Sequence, residues 1–201
     1  MREDYNEGTR INEKLIKLEK YTSFLTQALD KVDKEYFKIL TTYDEIVRER
    51  VFCYEFYHQM RLLQNNHELS GFALSGEIDK RGHTGIETED WKNPDFVFHE
   101  YGTFDRNEII IEVKGKINVE GIKKDFKTLL QYASRYQYNH SFFILYNHNL
   151  IEFQEQFLGQ MDSETIRNLK NNKSIVVICK KSYDSVCEIA DLKDLLHFGR
   201  A

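Results

Sequence analysis

The stretch PDFVFHEYGTFDRNEIIIEVK, Pro94 to Lys114, decides the fold class. The runs Asp95 to His99 and Glu108 to Lys114 are rich in β-branched and aromatic side chains, and EYGTFDRN between them has the glycine and polar residues of a turn. Two extended runs joined in this way form a hairpin. Residues two apart on a strand share a face, so Glu112 and Lys114 project together while Ile111 and Val113 point into the core. Asp95 opens the neighbouring strand and brings a second carboxylate beside Glu112. Two carboxylates so placed repel, and a cation between them relieves the repulsion; hard oxygen ligands select Mg²⁺ or Mn²⁺ over zinc.

Working outward, FALSGEIDK (Phe72 to Lys80) reads as the first strand of the sheet, followed by a polar loop with Gly82 and Gly85. Downstream, Val119 to Tyr138 has helical period, with Ile122, Phe126, Leu129, Leu130 and Ala133 on one side. FFILY (Phe142 to Tyr146) and IVVIC (Ile175 to Cys179) are continuous apolar runs suited to strands covered on both faces, with a helical insertion between them and a C-terminal tail after them. Upstream, EIVRERVFCYEFYHQMRLL reads as a helix whose start is predicted at a Thr42-Tyr43-Asp44-Glu45 capping box. Before it, Ile11, Leu15, Leu18, Leu25, Leu29, Val32, Tyr36 and Ile39 form the seam of one long amphipathic helix, packed on its own domain or serving as a dimer arm. The order predicts an α/β domain with a mixed central sheet: residues 1–41 as an N-terminal helical arm, 42–201 as the body.

Composition narrows the function classes. With 201 residues, 41% hydrophobic and 30% charged, the chain has enough apolar area for one globular domain. Its longest apolar runs fall far short of the roughly 20 residues of a membrane span, and MREDYNEGTR lacks the features of a signal peptide, so a soluble, cytoplasmic protein with no membrane partner is expected. Cys53, Cys179 and Cys187 read as buried thiols. A net charge of -5 gives no general pull toward nucleic acid, so such binding needs a local patch. One is present: Lys114 to Arg135 carries a local charge of +4, with Lys116, Lys123, Lys124, Lys127 and Arg135 as candidate phosphate contacts and Tyr132, Tyr136 and Tyr138 as candidate stacking surfaces, the alternative being a solvated helix face with the tyrosine rings buried. No phosphate-binding glycine loop, dinucleotide fingerprint, zinc pattern or nucleophile elbow occurs, and His83 and His99 read as ordinary polar residues despite their nearness to the hairpin. An acidic residue, any residue and lysine occur in that order four times. Chance gives about three, so only its place at the end of a β-branched strand, after a partner opening with Pro-Asp, singles out Glu112-Val113-Lys114.

Pro94-Asp95, the hairpin and Glu112-Val113-Lys114 together resemble the PD-(D/E)xK nuclease superfamily, whose restriction endonuclease-like core runs αβββαβ, the order expected here from Thr42 to Tyr146. ERVFCYEFYHQMR followed by SGEIDK is similar to uncharacterised bacterial members. The resemblance implies a Mg²⁺- or Mn²⁺-dependent nuclease, acting on DNA ahead of RNA, in restriction or repair. It implies Asp95 and Glu112 as metal ligands and Lys114 as the catalytic lysine. Relatives add an acidic residue from the first core helix, for which Glu49 is the candidate with Glu55 behind it; Glu77 on the first strand is another, with Lys80 contacting phosphate. Arg50, Tyr54 and Arg61 are placed to line the opposite wall. Gln131 misses the Gln-x-x-x-Tyr spacing of some relatives, since Tyr132 and Tyr136 follow it. The alternative is a non-catalytic nuclease-fold module that binds nucleic acid or protein and forms a homodimer through the N-terminal helix.

Overall fold

The computed structural model describes residues 2–76, 94–100 and 106–198. The chain opens with α1 (Arg2–Leu29), a short α2 (Lys34–Phe37), the hairpin strands β1 (Ile39–Leu40) and β2 (Glu45–Ile46), and α3 (Glu49–Gln64). The sheet follows as β3 (Ala73–Gly76), β4 (Phe96–His99) and β5 (Asn107–Lys114), then α4 (Val119–Arg135) and β6 (His140–Tyr146). After α5 (Leu150–Gln156) and α6 (Ser163–Asn171) come β7 (Ile175–Lys180), β8 (Glu188–Asp191) and α7 (Leu192–Phe198). The six strands lie in sequence order, β3-β4-β5-β6-β7-β8. Pairing is antiparallel from β3 to β5, parallel from β5 to β7, and antiparallel again at β8. The expected α/β class and mixed sheet are therefore present, and so is the helix-strand order α3-β3-β4-β5-α4-β6.

Both faces of the sheet are covered, which is why the central strands read as unbroken apolar runs. On one face Ile109, Ile111, Val113, Phe142 and Ile144 meet Tyr21, Phe24, Leu25 and Leu29 of α1 and Phe52, Phe56 and Met60 of α3. On the other, Val97, Ile110, Phe143, Leu145 and Val177 meet Ile122, Phe126 and Leu129 of α4, with Phe153, Leu169 and Leu195 from the C-terminal helices. No described helix is long and apolar enough to cross a membrane.

Three expectations are corrected. The N-terminal seam is not one helix to Ile39: α1 ends at Leu29, where Lys31 and Val32 N–H groups close onto Ala28 and Leu29 carbonyls, and the Asp30 carboxylate meets the buried ammonium of Lys180 at 2.7 Å. Val32 and Phe37 then turn inward to join the α1–α3 core. Thr42 does not start α3. The neighbouring Thr41 hydroxyl accepts the backbone N–H groups of Tyr43 (3.3 Å) and Asp44 (3.0 Å), closing the β1–β2 turn, and α3 begins at Glu49. Hydroxyls serve turns and helix starts by the same chemistry, so the sequence signal was ambiguous. In place of a tail after the Ile175 to Cys179 strand, the described residues form an edge strand, β8, and the helix α7.

Candidate active site

Register builds the site. Phe96 pairs with Ile111 in the antiparallel β4–β5 ladder, so one step further places Asp95 across from Glu112. The backbone N–H of Val113 donates to the Asp95 carboxylate at 2.7 Å, and the Glu112 carboxyl is its charged neighbour. Glu112 is 5% exposed. Burial and then the neighbouring charges of Asp95 and Asp125 push its carboxyl well above the usual range. Asp95 is also raised, by burial, although the Val113 N–H and Lys114 oppose the shift. Like charges side by side in a dry site disfavour ionisation of both acids, so each carboxyl is pushed toward its neutral form.

Lys114 ends β5, and its Nζ stands 3.0 Å from Glu49 Oε1 at the start of α3 and 3.2 Å from Asp125 Oδ2 on α4. Burial works against the ammonium, but Asp125 and Glu49 outweigh it and push its pKa up. Helices from opposite faces of the sheet thus converge on the lysine that the sequence singled out. Asp125 escaped the sequence reading. It is buried, and its Oδ2, though ion-paired, makes no hydrogen bond. Burial lifts its carboxyl to about 6, with Lys114 opposing. A signal was available: Asp125 interrupts the apolar stripe Ile122, Phe126, Leu129, where a carboxylate needs a reason.

Gly115 lets the site close. A Cβ there would collide with the end of the Tyr146 ring and stand 2.6 Å from Val47 Cγ1. The Tyr146 ring stacks on Phe52 at 3.8 Å, and its buried hydroxyl has no hydrogen-bond partner among the described residues. Burial, with Cys53 and the Glu49 and Asp95 carboxylates nearby, pushes that phenol up. Beside these groups opens a cleft of about 910 Å³ whose described lining includes Glu49, Asp95, Arg48, Arg50, Tyr54 and Tyr57.

The other sequence candidates distribute as follows. Asp95, Glu112, Lys114 and Glu49 come together, and Arg50 and Tyr54 line the same cleft. Glu55 lies further along α3 and accepts from Gln59 at 2.6 Å, while Arg61 bonds Gln64. Glu77, Lys80 and His83 lie outside the described residues. Lys116 and Lys124 are exposed. Lys123, Lys127, Gln131 and Arg135 line a separate groove between α4 and α6, opposite Asp162 and Glu164. Of the two readings of Tyr132, Tyr136 and Tyr138, burial holds and stacking does not: all three rings are buried in the α4 core, filling space that the helix period alone did not reveal. His99 makes a 3.2 Å contact with Ser75 across β3–β4.

The donor set bears on the metal implied by the resemblance. Among the described residues no group of three or more His, Cys, Asp and Glu side chains is arranged as a metal-holding cluster. Asp95 and Glu112 alone are two hard-oxygen ligands side by side, and Mg²⁺ is commonly held by one or two carboxylates with water and substrate phosphate completing the shell. A cation between these two carboxylates would relieve the repulsion that raises both of them. Comparison with family models, curated proteins and solved structures returns no match.

Proposed function

We propose that the protein is a metal-dependent nuclease that hydrolyses phosphodiester bonds, with DNA the first substrate to test. The observation that carries the reading is the buried Asp95–Glu112 pair beside a lysine clamped by Glu49 and Asp125. Asp95 and Glu112 would hold Mg²⁺ or Mn²⁺. A bound ion of this kind supplies a water activated for attack and neutralises charge on the phosphate.

The chain's own residues do the rest. Lys114 presents a fixed positive charge at the mouth of the carboxylate pair, placed to orient the attacking water and to stabilise charge growing on the phosphate oxygens. Glu49 and Asp125 position its Nζ from opposite sides, so the ammonium is set before substrate arrives. The Val113 N–H fixes one Asp95 oxygen, which holds the carboxylate in place beside Glu112. The burial of two acids that repel each other is hard to explain by stability, and a site kept for charge chemistry accounts for it.

The test is incubation of wild type and Lys114→Ala with single-stranded, linear and supercoiled DNA, and with RNA, in Mg²⁺, in Mn²⁺ and in chelator. Cleavage that requires the metal and falls about 10²-fold or more in Lys114→Ala is the expected result. Cleavage that survives in chelator or in Lys114→Ala removes the reading, and no cleavage of any substrate transfers it to a binding module.

A further inference from the structure

We infer that the cleft beside the carboxylates binds an unpaired strand, so that the site takes single-stranded polynucleotide in preference to duplex; the inference rests on the nuclease reading for its purpose but not for its test. The cleft is walled by Arg50, Tyr54 and Tyr57 of α3 and by Arg48 just before it, and Glu49 and Asp95 share its lining. Tyr54 is 66% exposed. Tyr57 is fixed beside it: its hydroxyl donates to the Leu74 carbonyl at 3.3 Å and its ring tilts 30° against Phe96. Ring faces next to arginines suit the two halves of a nucleotide, the rings taking a base by stacking and the guanidinium groups taking phosphate.

A duplex hides its base faces inside the stack and offers nothing to such rings. A cleft of about 910 Å³ is in the size range of small-ligand sites, enough for a short length of one strand to enter and reach the rings. The other side of the site gives the contrast. On and just after α4 the rings of Tyr132, Tyr136 and Tyr138 are buried, and the exposed Lys116 and Lys124 offer charge without a stacking surface. The α4 side suits a backbone of any kind, while the α3 cleft discriminates.

The experiment measures binding without cleavage. Fluorescently labelled 20-nucleotide DNA and RNA single strands and a blunt 20-base-pair duplex are titrated with the full chain in chelator at low salt, for wild type, Tyr54→Ala and Tyr54→Phe. Single strands should bind wild type at least tenfold tighter than duplex. Tyr54→Ala, an exposed position, should weaken single-strand binding about tenfold and collapse that ratio, and Tyr54→Phe should restore it. The DNA and RNA arms show which sugar is preferred. Duplex binding as tight as single-strand binding, no binding of either strand, or an unchanged ratio in Tyr54→Ala overturns the inference. Selective single-strand binding without cleavage in the activity assay leaves it standing and removes the nuclease reading instead.

Discussion

Glu108 and Glu112 are four residues apart on β5, and both are buried, yet their surroundings are opposite. The Tyr21 hydroxyl donates to Glu108 at 2.8 Å and the Asn139 amide at 2.9 Å, with Lys17 at 3.4 Å and His140 at 3.9 Å. Burial alone would raise its carboxyl, but Asn139 and Tyr21 hydrogen bonds and the Lys17 charge outweigh it and hold the group below the usual range. Glu112 instead faces Asp95 and Asp125 and is pushed well above that range. One end of the strand carries a carboxylate whose charge the fold satisfies. The other carries a carboxylate whose charge the fold leaves to something else. A buried charge is costly unless paired, so the second arrangement has the form of a functional site and the first that of a structural one.

That contrast is open to attack by mutation. Glu108→Ala leaves Tyr21, Asn139 and Lys17 without their acceptor, and chemical denaturation should show a loss of about 3 kcal/mol; an unchanged stability would mean the Glu108 network is ornamental. Acid should weaken this end first. Burial brings His140 down to about 4, with Glu108 opposing. The unfolded chain gains a proton below pH ~6.5 and the folded one does not until near 4, so this contribution is whole above ~6.5 and lost as pH falls through 4. His140→Gln should therefore flatten the fall in stability over that window, by about 2 kcal/mol at its acid end, as read by urea unfolding at pH 7 and 4.5. Glu112→Gln should act in the other sense. A carboxyl raised by folding disfavours the folded state once pH exceeds its unfolded value near 4.5, so in chelator at pH 7 the amide should stabilise the protein by ~1 kcal/mol. A loss there as large as that of Glu108→Ala would make the two ends alike.

Much of this contrast was legible before any coordinates. Period two along β5 and the Pro-Asp opening of its partner put Asp95 beside Glu112 and Lys114 on the same face, because register in a buried strand is set by its apolar alternation. Helix contributions were legible only in part. Glu49 was proposed only because the resemblance implies an acidic residue on the first core helix, and its contact with Lys114 at 3.0 Å was not foreseen. Asp125 was missed, because the charge run around it drew the reading toward a solvated basic face, whereas that segment of α4 has the acid on its buried side. Tyr132, Tyr136 and Tyr138 were open between stacking and burial, because a tyrosine ring serves a core or a surface equally well, and the structure decides for burial. The end of α1 was fixed by Asp30 meeting Lys180, a contact across 150 residues that no local pattern announces.

The most direct test of the central claim is the thermal response of the apo protein to Mn²⁺. If Asp95 and Glu112 are left unsatisfied for a cation, millimolar Mn²⁺ should raise Tm in wild type, by an amount approaching ~2.7 kcal/mol when the ion is at a hundredfold excess over its Kd, and the rise should vanish in Glu112→Gln. A wild type indifferent to the ion, or an equal rise in Glu112→Gln, would contradict the account.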